Sequence, residues 1–223
     1  MSYRAVIFDL YDTLLYAMDT GTRAAAIEVA KAAGASEAAW KEGWRVTSDR
    51  ACRGQFPSLC ERAAVVLQMA GVASPDQGLV DGLAGLLHTR QYPVLFPDTR
   101  PALAEVRARG YRLGMISNLP LDEGAWLKVF DLEAAFDAVV MSYDVGLVKP
   151  KPEIYARAAE RLGVAAEECL FVDDVPQYLE GARAVGMTPV RISRPGLGAG
   201  RLPDARETPR VGSLEEFVEW LGD

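Results

Sequence analysis

Apolar and polar positions fall into three textures along the chain. The first is brief: Arg4 to Asp9 (RAVIFD) is apolar without alternation and stops on a carboxylate, the pattern of a parallel strand covered on both faces. From Thr20 to Tyr92 the spacing turns helical, in TRAAAIEVAKAAG, SEAAWKEGWRVTSDR, PSLCERAAVVLQMAG and PDQGLVDGLAGLLHTRQY, with Gly, Pro and Ser at the breaks. That block predicts about four helices and no strand. After Pro97 helices alternate with short apolar runs: PALAEVRARG with YRLGMIS, LDEGAWLKVFDLE with DAVVMS, KPEIYARAAERLG with CLFVDD, and VPQYLEGARAVG with TPVRIS. Alternation of this length makes right-handed crossovers and a parallel sheet. The strand at Arg4 to Asp9 meets its first helical partner only across the helical block. The predicted architecture is therefore an α/β core, residues 1–16 and 94–223, with an all-helical cap, residues 17–93, inserted into it. The Gly-, Pro- and Arg-rich stretch from Arg194 to Arg210 reads as a surface loop.

Composition narrows the partners. A chain of 223 residues is long enough for one domain with a large insertion or for two modest domains. A net charge of -7 and a pI near 4.9 argue against a nucleic-acid partner, whose phosphates call for clustered Lys and Arg, and leave a small molecule as the expected ligand. Asp9 and Asp12 interrupt the N-terminal apolar run and no cleavage site follows it, so it does not read as a signal peptide. No stretch approaches the roughly 18 apolar residues of a membrane span. Cys52, Cys60 and Cys169 are odd in number and lack metal-ligand spacing, which fits reduced thiols and a cytoplasmic protein; an exposed cap helix face could pair with another copy, which leaves both monomer and homodimer open. Lysine is scarce, five in all, so Lys149 and Lys151 stand out near a predicted strand end.

Ligands of open parallel sheets sit beyond the carboxyl ends of the strands. Here those ends carry Asp9 (FDLYDTLL), Ser117 and Asn118 (GMISNLP), Lys149 after a loop (VKPKPEIY), and Asp173 and Asp174 (LFVDDVP). A carboxylate can attack phosphorus or carbon to form a covalent intermediate. Acids gathered around it repel one another unless a hard cation such as Mg²⁺ lies between them. A hydroxyl and an ammonium then bind the remaining anionic oxygens.

In that order FDLYDTLL, ISN, KPKPEIY and FVDD resemble the four motifs of the haloacid dehalogenase-like hydrolases, across the whole predicted core. The resemblance implies a Rossmann-like doubly wound parallel sheet core, with the helical cap between the first and second motifs. It implies Asp9 as nucleophile, Lys149 as the cation that orients it, and Ser117, Asn118 and Thr13 around the phosphoryl or substrate group. It further implies Mg²⁺ held by Asp9, Asp174 and Asp173, with Tyr11 at the adjoining position. The activity implied is a Mg²⁺-dependent phosphatase on a small phosphorylated metabolite, acting through an aspartyl-phosphate. Arg53 and Gln55, in a loop of the cap, are candidate substrate contacts, since caps of this class close over the nucleophile.

Two positions depart from the family's phosphatases. Tyr11 stands where a second Asp protonates the leaving alcohol and activates water, and a phenol with an ordinary pKa near 10 is a poor base at neutrality. Asp12 is one place further on, where an extended backbone points its side chain the opposite way. Tyr178 replaces the Asn or Asp that supports the metal site or the lysine. Tyr11 also matches the metal-independent 2-haloacid dehalogenases, which do not keep paired acids at the fourth motif. A third reading is a protein that kept the pocket, lost turnover and serves as a binding or regulatory module. Each residue also has a plainer role: Asp9, Ser117 and Asn118 as turn formers, Lys149 as a solvated loop residue, Asp173 and Asp174 as a charge pair at a helix start. Trp40 and Trp44 share a helix face and suit the inner wall of the cap.

Overall fold

The structure is a computed structural model that describes residues 3–89, 91–124, 126–196 and 208–222. Strand β1 (Ala5–Phe8) runs through a tight loop into β2 (Leu15–Asp19). Helices α1 (Thr22–Ala32), α2 (Glu37–Val46), α3 (Ser48–Cys52), α4 (Leu59–Met69) and α5 (Gln77–His88) follow, and β3 (Gln91–Leu95) returns beside β2. The remainder alternates: α6 (Thr99–Ala108), β4 (Arg112–Ser117), α7 (Trp126–Val129), β5 (Ala138–Met141), α8 (Ser142–Val145), α9 (Pro152–Leu162), β6 (Cys169–Asp173), α10 (Pro176–Ala184), β7 (Thr188–Ile192), β8 (Arg210–Val211) and α11 (Leu214–Trp220).

Six strands form one sheet in the order β5-β4-β1-β6-β7-β8, every neighbouring pair parallel. β1 lies between β4 and β6, the point from which the chain winds outward in both directions and where a crevice opens at the carboxyl edge. The unbroken apolar run of β1 is explained by its two covered faces. Val6 and Phe8 pack with Leu103, Val106, Leu214 and Phe217 of α6 and α11, while Ala5 and Ile7 pack with Ile154, Ala158 and Leu179 of α9 and α10.

Helices α1, α2, α4 and α5 bury a core of their own around Trp40, Leu67 and Leu83. Side-chain caps mark their starts: Ser36 accepts from the Ala39 N–H, Ser58 from that of Glu61, and Asp76 from that of Leu79. The expected second helix is broken in two at Thr47, whose hydroxyl donates back to the Gly43 carbonyl. The stretch 17–93 also holds strand residues, contrary to the expectation of none. Ala17, Met18 and Asp19 pair with Pro93, Tyr92 and Gln91 in an antiparallel ribbon that ties the helical unit to the sheet. Its partners lie more than 70 residues apart and one is a proline, so no local period announces it. LDEGAWLKVFDLE, expected as one helix, yields the four-residue α7 between two 3-10 turns. The expected loop from Arg194 to Arg210 ends in β8, and its residues 197–207 lie outside those described.

Candidate active site

The carboxyl ends of β1 and β6 and the loop between α8 and α9 deliver four ionisable groups, Asp9, Asp173, Asp174 and Lys149, to one buried place. The Asp9 N–H donates to the Val172 carbonyl (2.9 Å), which extends the β1–β6 ladder by one residue and fixes Asp9 against Asp173. Oxygens of Asp9, Asp173 and Asp174 lie within 4.8 Å of one another, and all three residues are buried. Lys149 Nζ donates to Asp9 Oδ1 at 2.5 Å and to Asp173 Oδ2 at 2.6 Å. The other Asp173 oxygen accepts from the Val175 N–H at 2.8 Å, at the entry to α10.

Lys149 is held from three sides. Asn118 receives the Lys149 N–H (2.8 Å) and donates to the Lys149 carbonyl (3.0 Å), so its amide pins the lysine's backbone on both sides. This is where the structure places Asn118, which was expected among the substrate contacts. The ammonium also lies 4.6 Å from the Tyr178 ring centre and 5.5 Å from that of Phe171. The Tyr155 hydroxyl donates to the Tyr178 carbonyl and fixes the ring's backbone. Tyr178 thus supports Lys149 through its aromatic face, in the position of the amide or acid it replaces. Ser117 is buried at the end of β4.

Burial dominates the electrostatics of the set. It lowers the affinity of Lys149 for its proton, but the carboxylates of Asp173 and Asp9 outweigh that and raise the group above its ordinary value. Burial pushes Asp173 up to about 7; Lys149 opposes the rise and the charge of Asp9 adds to it. Asp174 goes up to about 8, first through burial and then through Asp173, Asp9 and Asp12. Three ionised carboxylates against one ammonium leave two surplus negative charges. Either protons or a divalent cation must offset them. Hard carboxylate oxygens at this spacing fit Mg²⁺, which binds through one or two carboxylates and water.

Facing this edge is a cavity of about 780 Å³ whose wall is shared between sheet and helices. Tyr11 and Asn118 line it from the sheet side, Trp40, Trp44 and Arg23 from α2 and α1. The two indoles meet edge to face, centres 5.7 Å apart. Arg53 and Gln55 are not in this wall. Arg53 grips Asp49 (2.7 Å) and donates to the Gly146 carbonyl (3.1 Å), docking its loop on the segment after α8. Gly54 makes the approach possible, with φ +68° and a position where a Cβ would collide with the Tyr143 carbonyl. Gln55 is exposed.

The sequence profile of the haloacid dehalogenase-like hydrolases matches residues 3–186. This chain belongs to that family. It is 31% identical over 202 residues to (S)-2-haloacid dehalogenase 4A of Burkholderia cepacia, covering 87% of this chain and 85% of the relative. It is 40% identical over 103 residues to Phosphatase MT3486 of Mycobacterium tuberculosis (strain CDC 1551 / Oshkosh), covering 45% and 48%. The chain spans about half the length of the curated phosphatases of this kind. The crystal structure of 2-haloacid dehalogenase from Pseudomonas syringae pv. Tomato DC3000 superposes with a TM-score of 0.69 at 25% identity, over 99% of this chain and 98% of that one.

Within this haloacid dehalogenase-like hydrolase, the loop after Asp9 is built differently from the sequence expectation. Asp12 has φ 59° and its N–H donates to the Leu15 carbonyl at 2.6 Å, so the backbone is left-handed rather than extended and the alternation argument does not apply. Asp12 is half-buried, and its pKa is raised by burial and then by Asp9. Tyr11 packs against the sheet core, and the Thr13 hydroxyl is buried with no hydrogen-bond partner among the described residues. Behind the loop, Arg194 donates to the Thr13 carbonyl through Nε (3.1 Å) and Nη2 (2.8 Å). It also forms a two-point pair with Asp98, 3.0 Å each, and lies 3.6 Å over the Phe96 ring. Neither Arg194 nor Asp98 stood out in the sequence. The available signal was an arginine two residues past the end of a buried strand, TPVRISR, where loops converge on the site.

Proposed function

We propose that this hydrolase is a Mg²⁺-dependent phosphatase that cleaves a small phosphorylated metabolite through an aspartyl-phosphate on Asp9. The observation carrying the reading is the buried set of Asp9, Asp173 and Asp174 beside the Lys149 ammonium, which, with all three acids ionised, has two negative charges for a divalent cation to offset. Asp9, Asp174 and Asp173 would hold Mg²⁺. Bound there, the ion neutralises the phosphoryl oxygens and restores the charge balance of the acids. Lys149 occupies Asp9 Oδ1 and thereby leaves Oδ2 to attack phosphorus. Asp173 keeps the ammonium in place, and the hydroxyl of Ser117 binds a phosphoryl oxygen as charge builds on it. Tyr11 supplies no efficient base for the attacking water, so breakdown of the intermediate is slow, by roughly two to four orders of magnitude. The helical unit serves as a cap that limits water at the reacting centre. No described helix is long and apolar enough to cross a membrane; a cytoplasmic location accords with the thiols.

A second reading, displacement of halide from a 2-haloacid by Asp9, is favoured by Tyr11 and by the near full-length likeness to two dehalogenases. The surplus charge weighs against it, because a substrate carboxylate would add a further negative charge to the acids. One experiment separates the two. Wild type and Asp9→Asn are assayed with a phosphate monoester and with 2-chloropropionate, each with Mg²⁺ and with a chelator. Phosphate release that needs both Mg²⁺ and Asp9 is the expected result. Chloride release unaffected by chelator would replace the phosphatase reading with the dehalogenase, and ester binding without any product would reduce the protein to a binding module.

A further inference from the structure

The cavity that Tyr11 and Asn118 join to the sheet's carboxyl edge is larger than a two- or three-carbon phosphorylated acid requires. At about 780 Å³ it lies in the upper part of the range that accepts drug-sized ligands. Its wall has two distinct chemistries. Trp40 and Trp44, with Ile27 and Leu119, supply aromatic and apolar surface, one face of Trp44 being covered by the Arg62 guanidinium 4.5 Å from its centre, and Glu123 adds a carboxylate at the Pro120 side. Arg23, Lys41 and Arg45 supply positive charge, in a chain whose net charge is -7.

Helix α2 is the source of both. Trp40 and Trp44 are four residues apart, and so are Lys41 and Arg45, which puts an indole stripe and a cationic stripe side by side on the helix. Arg23 adds a cation from the first turn of α1 and makes no ion pair among the described residues. Lys41 and Arg45 do have partners, Glu37 and Glu42, both 2.6 Å away. Those pairs are exposed, and exposed pairs of this kind contribute little, so either cation is free to turn to a ligand anion. A flat ring against the indoles with an anionic group directed to the cations satisfies both stripes at once.

Resting on the phosphatase reading above, we propose that the alcohol released carries an aromatic or similarly flat ring and a second anionic group. The ring lies against Trp40 and Trp44, and the anion is received by Arg23 and Lys41. The reacting end is unchanged: the P–O bond to this alcohol breaks as Asp9 forms its bond to phosphorus, and the alkoxide leaves with a proton from solvent.

The test uses the full chain with saturating Mg²⁺ and three esters: phenyl phosphate, 4-carboxyphenyl phosphate and phosphoglycolate. The expected order in kcat/KM places 4-carboxyphenyl phosphate about tenfold above phenyl phosphate, with phosphoglycolate lowest. Arg23→Ala and Lys41→Ala should shrink the carboxyphenyl preference by raising KM for that ester more than for phenyl phosphate. Arg157→Ala removes an exposed cation of α9 that lies outside the cavity wall and pairs locally with Glu160, and should preserve the preference. Phosphoglycolate preferred over both aromatic esters, or a preference unmoved in the Arg23→Ala, Lys41→Ala double variant, would overturn this inference and leave the phosphatase reading standing. No hydrolysis of any ester above the level of Asp9→Asn would overturn both.

Discussion

Replacing Lys149 by methionine removes the ammonium that holds Asp9 and Asp173 together while keeping most of the side chain's bulk. The lysine side chain is 0% exposed, and its two hydrogen bonds, 2.5 and 2.6 Å, are to carboxylates that are themselves buried. Taking away one partner of a buried pair costs about 3–5 kcal/mol, because the other charges stay buried without compensation. The cost depends on pH. A buried carboxyl whose pKa is raised on folding binds its proton more tightly in the native state than in the unfolded chain. Native stability is therefore lost as pH rises from the ordinary carboxyl value of 3.8 towards the folded values, about 7 for Asp173 and about 8 for Asp174. Without Lys149 these values climb further and the loss steepens. In a chain of this length about 1 kcal/mol corresponds to about 2–4 °C of Tm, so the metal-free variant should melt about 6–20 °C below wild type near pH 8. Near pH 5.5, where Asp173 and Asp174 hold protons, the gap should narrow to less than half. Circular dichroism melts of both proteins at the two pH values decide the matter. A gap under about 3 °C near pH 8, or an equal gap at both, would refute the charge reasoning.

Other perturbations probe the same assembly from different sides. Asp174→Asn should abolish the rise in Tm that Mg²⁺ gives the wild type, a mass-action effect read by titrating the ion during melts; a full Mg²⁺ response in the variant would remove Asp174 from the proposed ligands. Tyr11→Asp should raise phosphate-ester kcat by about a hundredfold through restored acid–base assistance, and an unchanged or lower kcat would show that the phenol is not what limits breakdown. Arg194→Lys replaces a planar fork with a point charge, freeing the Thr13 carbonyl and the loop that follows Asp9; kcat should fall about ten- to a hundredfold with KM little changed. A change confined to KM or to Tm would leave Arg194 as a purely structural clamp.

Local patterns made the sheet's carboxyl edge legible. Unalternating apolar runs end at Asp9, Ser117 and Asp173, and helix-period segments between them require crossovers, so these residues had to converge. Long-range and conformational features were silent. The β2–β3 ribbon depends on pairing across the whole helical unit, and Arg194 reaches Asp98 over 96 residues. Asp12 occupies a left-handed conformation that its residue type tolerates but does not announce. Asn118 was readable as a polar residue at the right strand end, yet only the fold reveals that its amide serves the Lys149 backbone. In the helical unit Arg53, expected as a substrate contact, bonds the Gly146 carbonyl outside the cavity wall, whereas the Trp40 and Trp44 stripe lines the cavity.

The central claim is that Asp9 becomes phosphorylated. Rapid-quench digestion and mass spectrometry during turnover of a phosphate monoester with Mg²⁺ should find one phosphoryl group on the Asp9 peptide, sensitive to hydroxylamine and absent from Asp9→Asn. The slow breakdown expected with Tyr11 should make it accumulate early in the reaction. Turnover that proceeds with Asp9 unmodified, or an alkyl ester on Asp9 formed from 2-chloropropionate in chelator, would contradict it.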